Sequence, residues 1–199
     1  MVAKALFRES LNQGCQIEDW GEEEMTDLAY ALDGWSGYNE SLVRAVQGLT
    51  LDQLRFRGTS QMRSVEEVAW HIADGRVEWF ARMDAPGAAA LYERVCAREE
   101  KVPENADASQ LCAWLLETWQ VVEGVLNNWS TESLSESFRQ PYGDKVYAVS
   151  RQWVIFRILL HDVHHGGQIS ELLAMQGLEP EELTLLGGHI VFPPEAESE

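Results

Sequence analysis

The sequence predicts an all-α protein, a four-helix bundle with long crossover connections. Three observations carry this. Four long segments place apolar residues at three- and four-residue steps. Strand-like alternation is nearly absent. The connections between the second and third helices, and between the third and fourth, run to roughly twenty residues or a little more, which permits crossovers rather than a simple up-down order.

Residues 1–21 read as an N-terminal arm and 181–199 as a C-terminal tail ending in acidic EAESE, leaving 22–180 as the bundle. The first helix is expected from Glu22 to about Val46 on the spacing of Leu28, Leu32, Trp35, Leu42, Val43 and Val46, weakened locally by Gly34 and Gly37. LTLDQL (49–54) reads as a connector. SVEE (64–67) is a capping box, in which the Ser64 hydroxyl accepts from the Glu67 amide and Glu67 reaches back. It opens a second helix running through Val68, Ile72, Val77 and Phe80 to about Met83. Pro86 and Gly87 punctuate the chain, and a short helix is expected within 88–101 before Pro103. The third long helix runs from about Ala108 to Trp129 with Leu111, Leu115, Trp119, Val122 and Leu126 on one face. In FRQPYGDKVYAV, YGDK between β-prone stretches predicts a small hairpin. Ser150 is a natural N-cap for the fourth long helix, which carries Ile158, Ile169 and Leu172 to Met175. Gly177 fits the left-handed residue past its end, with Pro180 beyond. Gly166 and Gly167 inside this helix cost about 1 kcal/mol each relative to alanine, so close packing should compensate.

The 199 residues suit one domain able to bury a core, and the 45% hydrophobic and 24% charged content is ordinary for a globular chain. A net charge of −18 and no basic run argue against nucleic acid and against an anionic membrane surface as partners. Three cysteines, Cys15, Cys96 and Cys112, are too few and scattered for a disulfide framework and fit a reducing, cytoplasmic setting. The first residues lack the apolar core of a secretory signal, and no apolar run approaches the ~20 residues of a membrane span.

Histidine patterning is the most specific chemical signal. Three of the chain's five histidines fall within RILLHDVHHGGQIS, residues 157–170. His161 and His165 are four apart and share a helix face; His164 is three from His161, so spacing alone leaves the ligating pair open. The apolar stripe of Ile158, Ile169 and Leu172 favours His165, while His164 points about 100° away, toward a neighbouring helix or the rim. His71, in VAWHIADG, sits at a core-type position of the second helix and must find polar partners there. Two histidines on one helix and one on another can meet across a bundle. HExxH is absent, so this is not the zincin motif.

SVEEVAWHIAD in the second helix and HDVHHGGQISELLAMQGLEP in the fourth resemble the DinB/YfiT-like superfamily of metal-dependent proteins, in order, spacing and context, over about residues 24–180. The resemblance implies a four-helix bundle of unusual crossover order, and His71, His161 and His165 as ligands of one divalent metal ion. Three imidazoles leave positions open for exchangeable ligands, the pattern of a catalytic rather than a closed structural site. Zinc is the default; nickel, iron, manganese and cobalt also accept imidazole. Asp74, one turn after His71, and Gln168, three residues after His165, are candidates to orient a ligand. Asp162 is expected to face elsewhere, toward solvent or a salt bridge, and Glu78 is a remote fourth ligand. His164 reads as a bystander, and His189 has no assigned place. Cys112, Trp70 and Trp153 read as core. Characterised relatives imply a transferase or isomerase that uses a low-molecular-weight thiol such as bacillithiol or mycothiol with a small-molecule substrate. The alternative is a non-catalytic metal-binding stress-response protein. A homodimer fits either.

Overall fold

The computed structural model describes residues 26–103 and 106–179. The expected arm (1–21), the tail (181–199), residues 22–25 of the first expected helix, Cys15, Pro180 and His189 lie outside the described residues.

Thr26 caps the first helix, its side chain accepting from the Ala29 amide and donating to the Leu126 carbonyl 2.5 Å away. The single helix expected to Val46 is two: α1 (Asp27–Ala31) and α2 (Asp33–Val46). The break falls at Leu32 (φ −116°, ψ 19°), ahead of the glycines thought to weaken it. It lets Leu28 pack with Leu126 and Val122, while Trp35 turns toward the last helix. LTLDQL is a connector with a helix in it, α3 (Leu51–Arg55), because Thr50 and Gln53 form a complete capping box.

The long helices follow the sequence closely. α4 (Val65–Arg82) opens on the Ser64–Glu67 capping box, with both reciprocal bonds present at 2.7 and 3.3 Å. α5 (Ala88–Cys96) is shorter than the 88–101 allowance. α6 (Ala108–Asn128) is capped by Asp107 and Gln110. A 3₁₀ turn (Thr131–Ser135) leads into the expected hairpin of β1 (Ser137–Tyr142) and β2 (Lys145–Ser150), antiparallel with Tyr142 opposite Lys145. Gly143 takes φ +60° in the two-residue loop, a conformation that favours glycine. Ser150 caps α7 (Arg151–Met175). Gly177, at φ +70°, ends it in a Schellman arrangement: its amide donates to Ala174 and that of Leu178 to Leu173.

The fold is therefore mostly helical, seven α-helices among the described residues, with one small two-stranded sheet. α4 packs chiefly on α6 and α7, and α2 on the same two helices, so the most extensive helix–helix pairings are not between sequence neighbours. Two apolar clusters fill the interior. One holds Leu42, Val65, Ile72, Leu115, Ile169 and Leu172; the other holds Trp35, Phe80, Trp119, Val122, Val154 and Ile158. Between them along α4 and α7 lie buried polar residues, Arg76 and Asp162, beside the histidines. Trp70 is buried as expected, but Trp153 is 43% exposed, its ring tilted against Trp79 and lying under Arg157 at the surface. Its position on α7 turns it away from the face that packs inward. No helix among the described residues is long and apolar enough to cross a membrane.

Candidate metal centre

His71 projects from the middle of α4, between Trp70 and Ile72, where α4 packs on α7. His161 and His165 stand one turn apart on α7. The structure brings the three together: one ring nitrogen from each lies within 4.8 Å of the others, and among the described residues they form a group able to hold a metal ion. The ring centroids are 4.4 to 4.8 Å apart.

Two glycines create the room. A Cβ on Gly75, one turn after His71, would fall 2.8 Å from His161 Cε1, so the bare backbone admits the imidazole. A Cβ on Gly166 would fall 1.9 Å from Tyr38 Oη, which is the close packing expected of this pair; at Gly167 nothing lies within 4 Å, so only the first glycine is required. Gly75 was not singled out in the sequence, although a glycine one turn after a histidine in a strong helix is a visible signal of close approach.

Gln168 lies against the group. His165 Nδ1 donates to Gln168 Oε1 at 2.8 Å, which places the proton on Nδ1 and leaves Nε2 with its lone pair. The Gln168 amide nitrogen faces His164 Nε2 at 3.2 Å, and His164 itself is exposed, at the rim outside the three-histidine group. Asp74 accepts from Trp114 Nε1 at 2.8 Å and pairs with Arg98. Glu78 pairs with Arg82. Cys112 is half-buried, its thiol directed to the Val43 carbonyl at 3.7 Å.

Asp162 makes the salt bridge that the sequence allowed for it, with Arg76. It is fully buried, not at the solvent. Its Oδ2 accepts from Trp35 Nε1 at 2.9 Å and from Arg76 Nε at 2.8 Å. The salt bridge is real, but it lies inside, because position 162 faces α2 and α4 rather than the outer surface. Arg76, also fully buried, was missed by sequence reasoning; its Nη1 further donates to Asn39 Oδ1 at 2.8 Å and to the Leu115 carbonyl at 3.2 Å.

Burial is the main reason that His71 releases its proton at about 4 instead of 6.5, with the neighbouring His161, Arg63, His165 and Lys101 pushing the same way. Burial likewise lowers His165 to about 4, against the hydrogen bond to Gln168. Both imidazoles are neutral at physiological pH, the form that ligates metals. Two nitrogens about 2.0–2.1 Å from a shared tetrahedral ion stand roughly 3.3 Å apart, close to the 3.1 Å between His71 Nε2 and His161 Nε2. The donor set thus suits a divalent ion; this one pair already has a ligand-like separation, and the three atoms together lie within 4.8 Å.

Beside the group opens a cleft of about 670 Å³, whose lining includes Met62, Arg63, His164, Gln168, Glu171 and Met175. Its lining mixes apolar side chains with charged and amide groups and meets the histidine group through Gln168, which binds His165.

The architecture is shared with known structures. A DinB-like protein from Bacillus cereus superposes with a TM-score of 0.58 at 18% identity, over 75% of this chain and 92% of that one. A conserved protein from Enterococcus faecalis gives 0.56 at 14% identity, over 75% and 96%. A DinB-like protein from Bacillus subtilis gives 0.51 at 16% identity, over 75% and 91%. At these identities the likeness speaks for the fold. No curated protein matches the chain. The model of the DinB superfamily matches residues 39–169, well over half of the sequence and inclusive of all three grouped histidines, and the chain belongs to that superfamily.

Proposed function

We propose that the protein binds one divalent metal ion, zinc by default, through His71, His161 and His165 on a four-helix bundle, and acts as a metal-dependent enzyme on a small molecule. The observation that carries the reading is the convergence of three imidazole nitrogens from α4 and α7 within 4.8 Å. An ion held there would supply Lewis acidity toward a substrate. The chain's own groups do the rest. Gln168 fixes the tautomer of His165. The depressed proton affinities of His71 and His165 keep them neutral at working pH. The adjoining cleft, with Met62 and Met175 as apolar walls and Arg63 as a cation, can seat a small substrate beside the group.

The finer reading is a transferase that uses a low-molecular-weight thiol. A reducing, cytoplasmic setting belongs to it, since such thiols stay reduced there. It includes a homodimer, for which exposed Trp153, Phe156, Leu160 and Val163 on one helix offer apolar surface.

Metal analysis of the untagged protein tests the site. About one divalent ion per chain is expected, lost in a His161→Ala, His165→Ala double variant; full occupancy in that variant would sink the assignment. Thiol consumption with a panel of electrophiles, wild type against His71→Ala, tests the reaction. Metal-dependent turnover supports the enzyme, and metal binding without turnover across the panel favours a non-catalytic binding protein.

A further inference from the structure

We infer that Asp162 is the positioning residue that orients His161 for metal binding. This rests on the three-histidine reading above. Among the described residues, four buried side-chain atoms have no hydrogen-bond partner: Trp70 Nε1, Arg76 Nη2, which keeps its ion pair with Asp162 Oδ2, and a neighbouring pair at the group, Nδ1 of His161 and Oδ1 of Asp162. That pair stands 3.8 Å apart. Buried polar atoms are rarely left unpaired, and each exception asks for an explanation.

The carboxylate is rigidly mounted. Its other oxygen, Oδ2, accepts from Trp35 Nε1 and Arg76 Nε, and Arg76 is in turn pinned by Asn39 and the Leu115 carbonyl. Oδ1 is therefore held in place beside His161 as an acceptor without a donor. The imidazole is the movable member. It is held on one side by the contact of its Nε2 with His71 Nε2 at 3.1 Å. Two neutral rings can share that contact only if one nitrogen carries the proton.

Ligation demands something different. The Nε2 atoms of both His71 and His161 must present lone pairs, so the proton of His161 must reside on Nδ1, the atom facing Asp162 Oδ1. A hydrogen bond between them needs an approach of roughly 1 Å from the present separation. Asp162 would then do for His161 what Gln168 does for His165: accept the Nδ1 proton and aim Nε2 at the centre. A carboxylate in this role also raises the basicity of the ring it holds.

The test is zinc titration of the full chain with ¹⁵N-histidine NMR. On zinc loading of the wild type, a slowly exchanging proton should appear on His161 Nδ1. A zinc-loaded protein with that site unprotonated or in fast exchange overturns the inference. Asp162→Asn should lose zinc affinity by about 10- to 100-fold and lose or shift that proton signal. Val149→Ala is the control for packing. It truncates a buried side chain on β2 that has no part in holding Asp162 or the histidines, so its zinc affinity should stay at the wild-type value; an equal loss in both variants would mean that Asp162 acts only through packing. Should Asp162→Asn fail to fold, the double variant Arg76→Met, Asp162→Leu replaces the buried pair with apolar side chains and carries the same expectation. Unchanged affinity in a folded variant overturns the role of Asp162 alone, whereas a wild type that binds no zinc overturns the three-histidine reading with it.

Discussion

The Tyr38 hydroxyl fills the space that a side chain at position 166 would need: a Cβ on Gly166 would lie 1.9 Å from Oη and 2.8 Å from Cζ. The ring cannot step aside cheaply. It is 2% exposed, and its hydroxyl donates to the Val163 carbonyl at 3.1 Å. Gly166→Ala should therefore destabilise the fold by about 1–3 kcal/mol, the usual cost of overpacking. Gly167→Ala meets nothing within 4 Å and should stabilise it, by up to about 1 kcal/mol of helix propensity. Urea unfolding of the two variants checks the pair. Equal effects would contradict the close approach of α2 to α7.

Gly75 makes the opposite separation, between stability and binding. Alanine there gains helix propensity, yet its Cβ would fall 2.8 Å from His161 Cε1. The imidazole must then tilt away from His71. Gly75→Ala is expected to fold at least as well as wild type while zinc affinity falls by about tenfold or more, as when an orienting contact is lost. Isothermal titration with a competing chelator reads this. A variant that binds zinc normally would show that the ring does not use this gap.

Arg76 and Asp162 form a fully buried ion pair that also joins α4 to α7, Trp35 and Asn39. Removing one partner strands the other charge in the interior. Arg76→Met should cost about 3–5 kcal/mol, and adding Asp162→Leu should recover most of it, since an apolar pair of similar volume avoids the desolvation of both ions. A double-mutant cycle from chemical denaturation gives the coupling. Additive losses would mean that the pair is solvated in solution.

What the sequence made legible was local. Ser64 and Ser150 announced their helices because an N-cap acts within four residues, and Gly177 closed α7 for the same reason. That His71, His161 and His165 share one place was legible because i, i+4 spacing fixes a face and a core-type position points inward. The Thr50–Gln53 box was just as local and passed unread, because a connector was expected there. Asp162 was a different matter. Its burial depends on Trp35, 127 positions earlier, and on Arg76, 86 positions earlier, and no local pattern marks a charge that tertiary packing will enclose. Trp153 failed in reverse: its residue type suggested the core, but its face of α7 looks outward.

Acid should weaken the metal-free protein through its histidines. His71 and His165 bind a proton at 6.5 when unfolded but only at about 4 when folded, chiefly because burial disfavours the charged ring. Between those values the unfolded chain holds more protons than the folded one, so stability rises with pH across this window. The contribution is fully present above 6.5 and is lost progressively as pH falls toward 4. In chelator, the thermal midpoint should therefore drop between these limits. Carboxylates also titrate in the lower part of the range, so the discriminating quantity is the difference between wild type and a His71→Gln, His165→Gln variant. That variant should show a distinctly shallower pH dependence. If the two curves run parallel, the histidines are solvated in the metal-free state and the group is not the enclosed, neutral donor set on which metal binding depends.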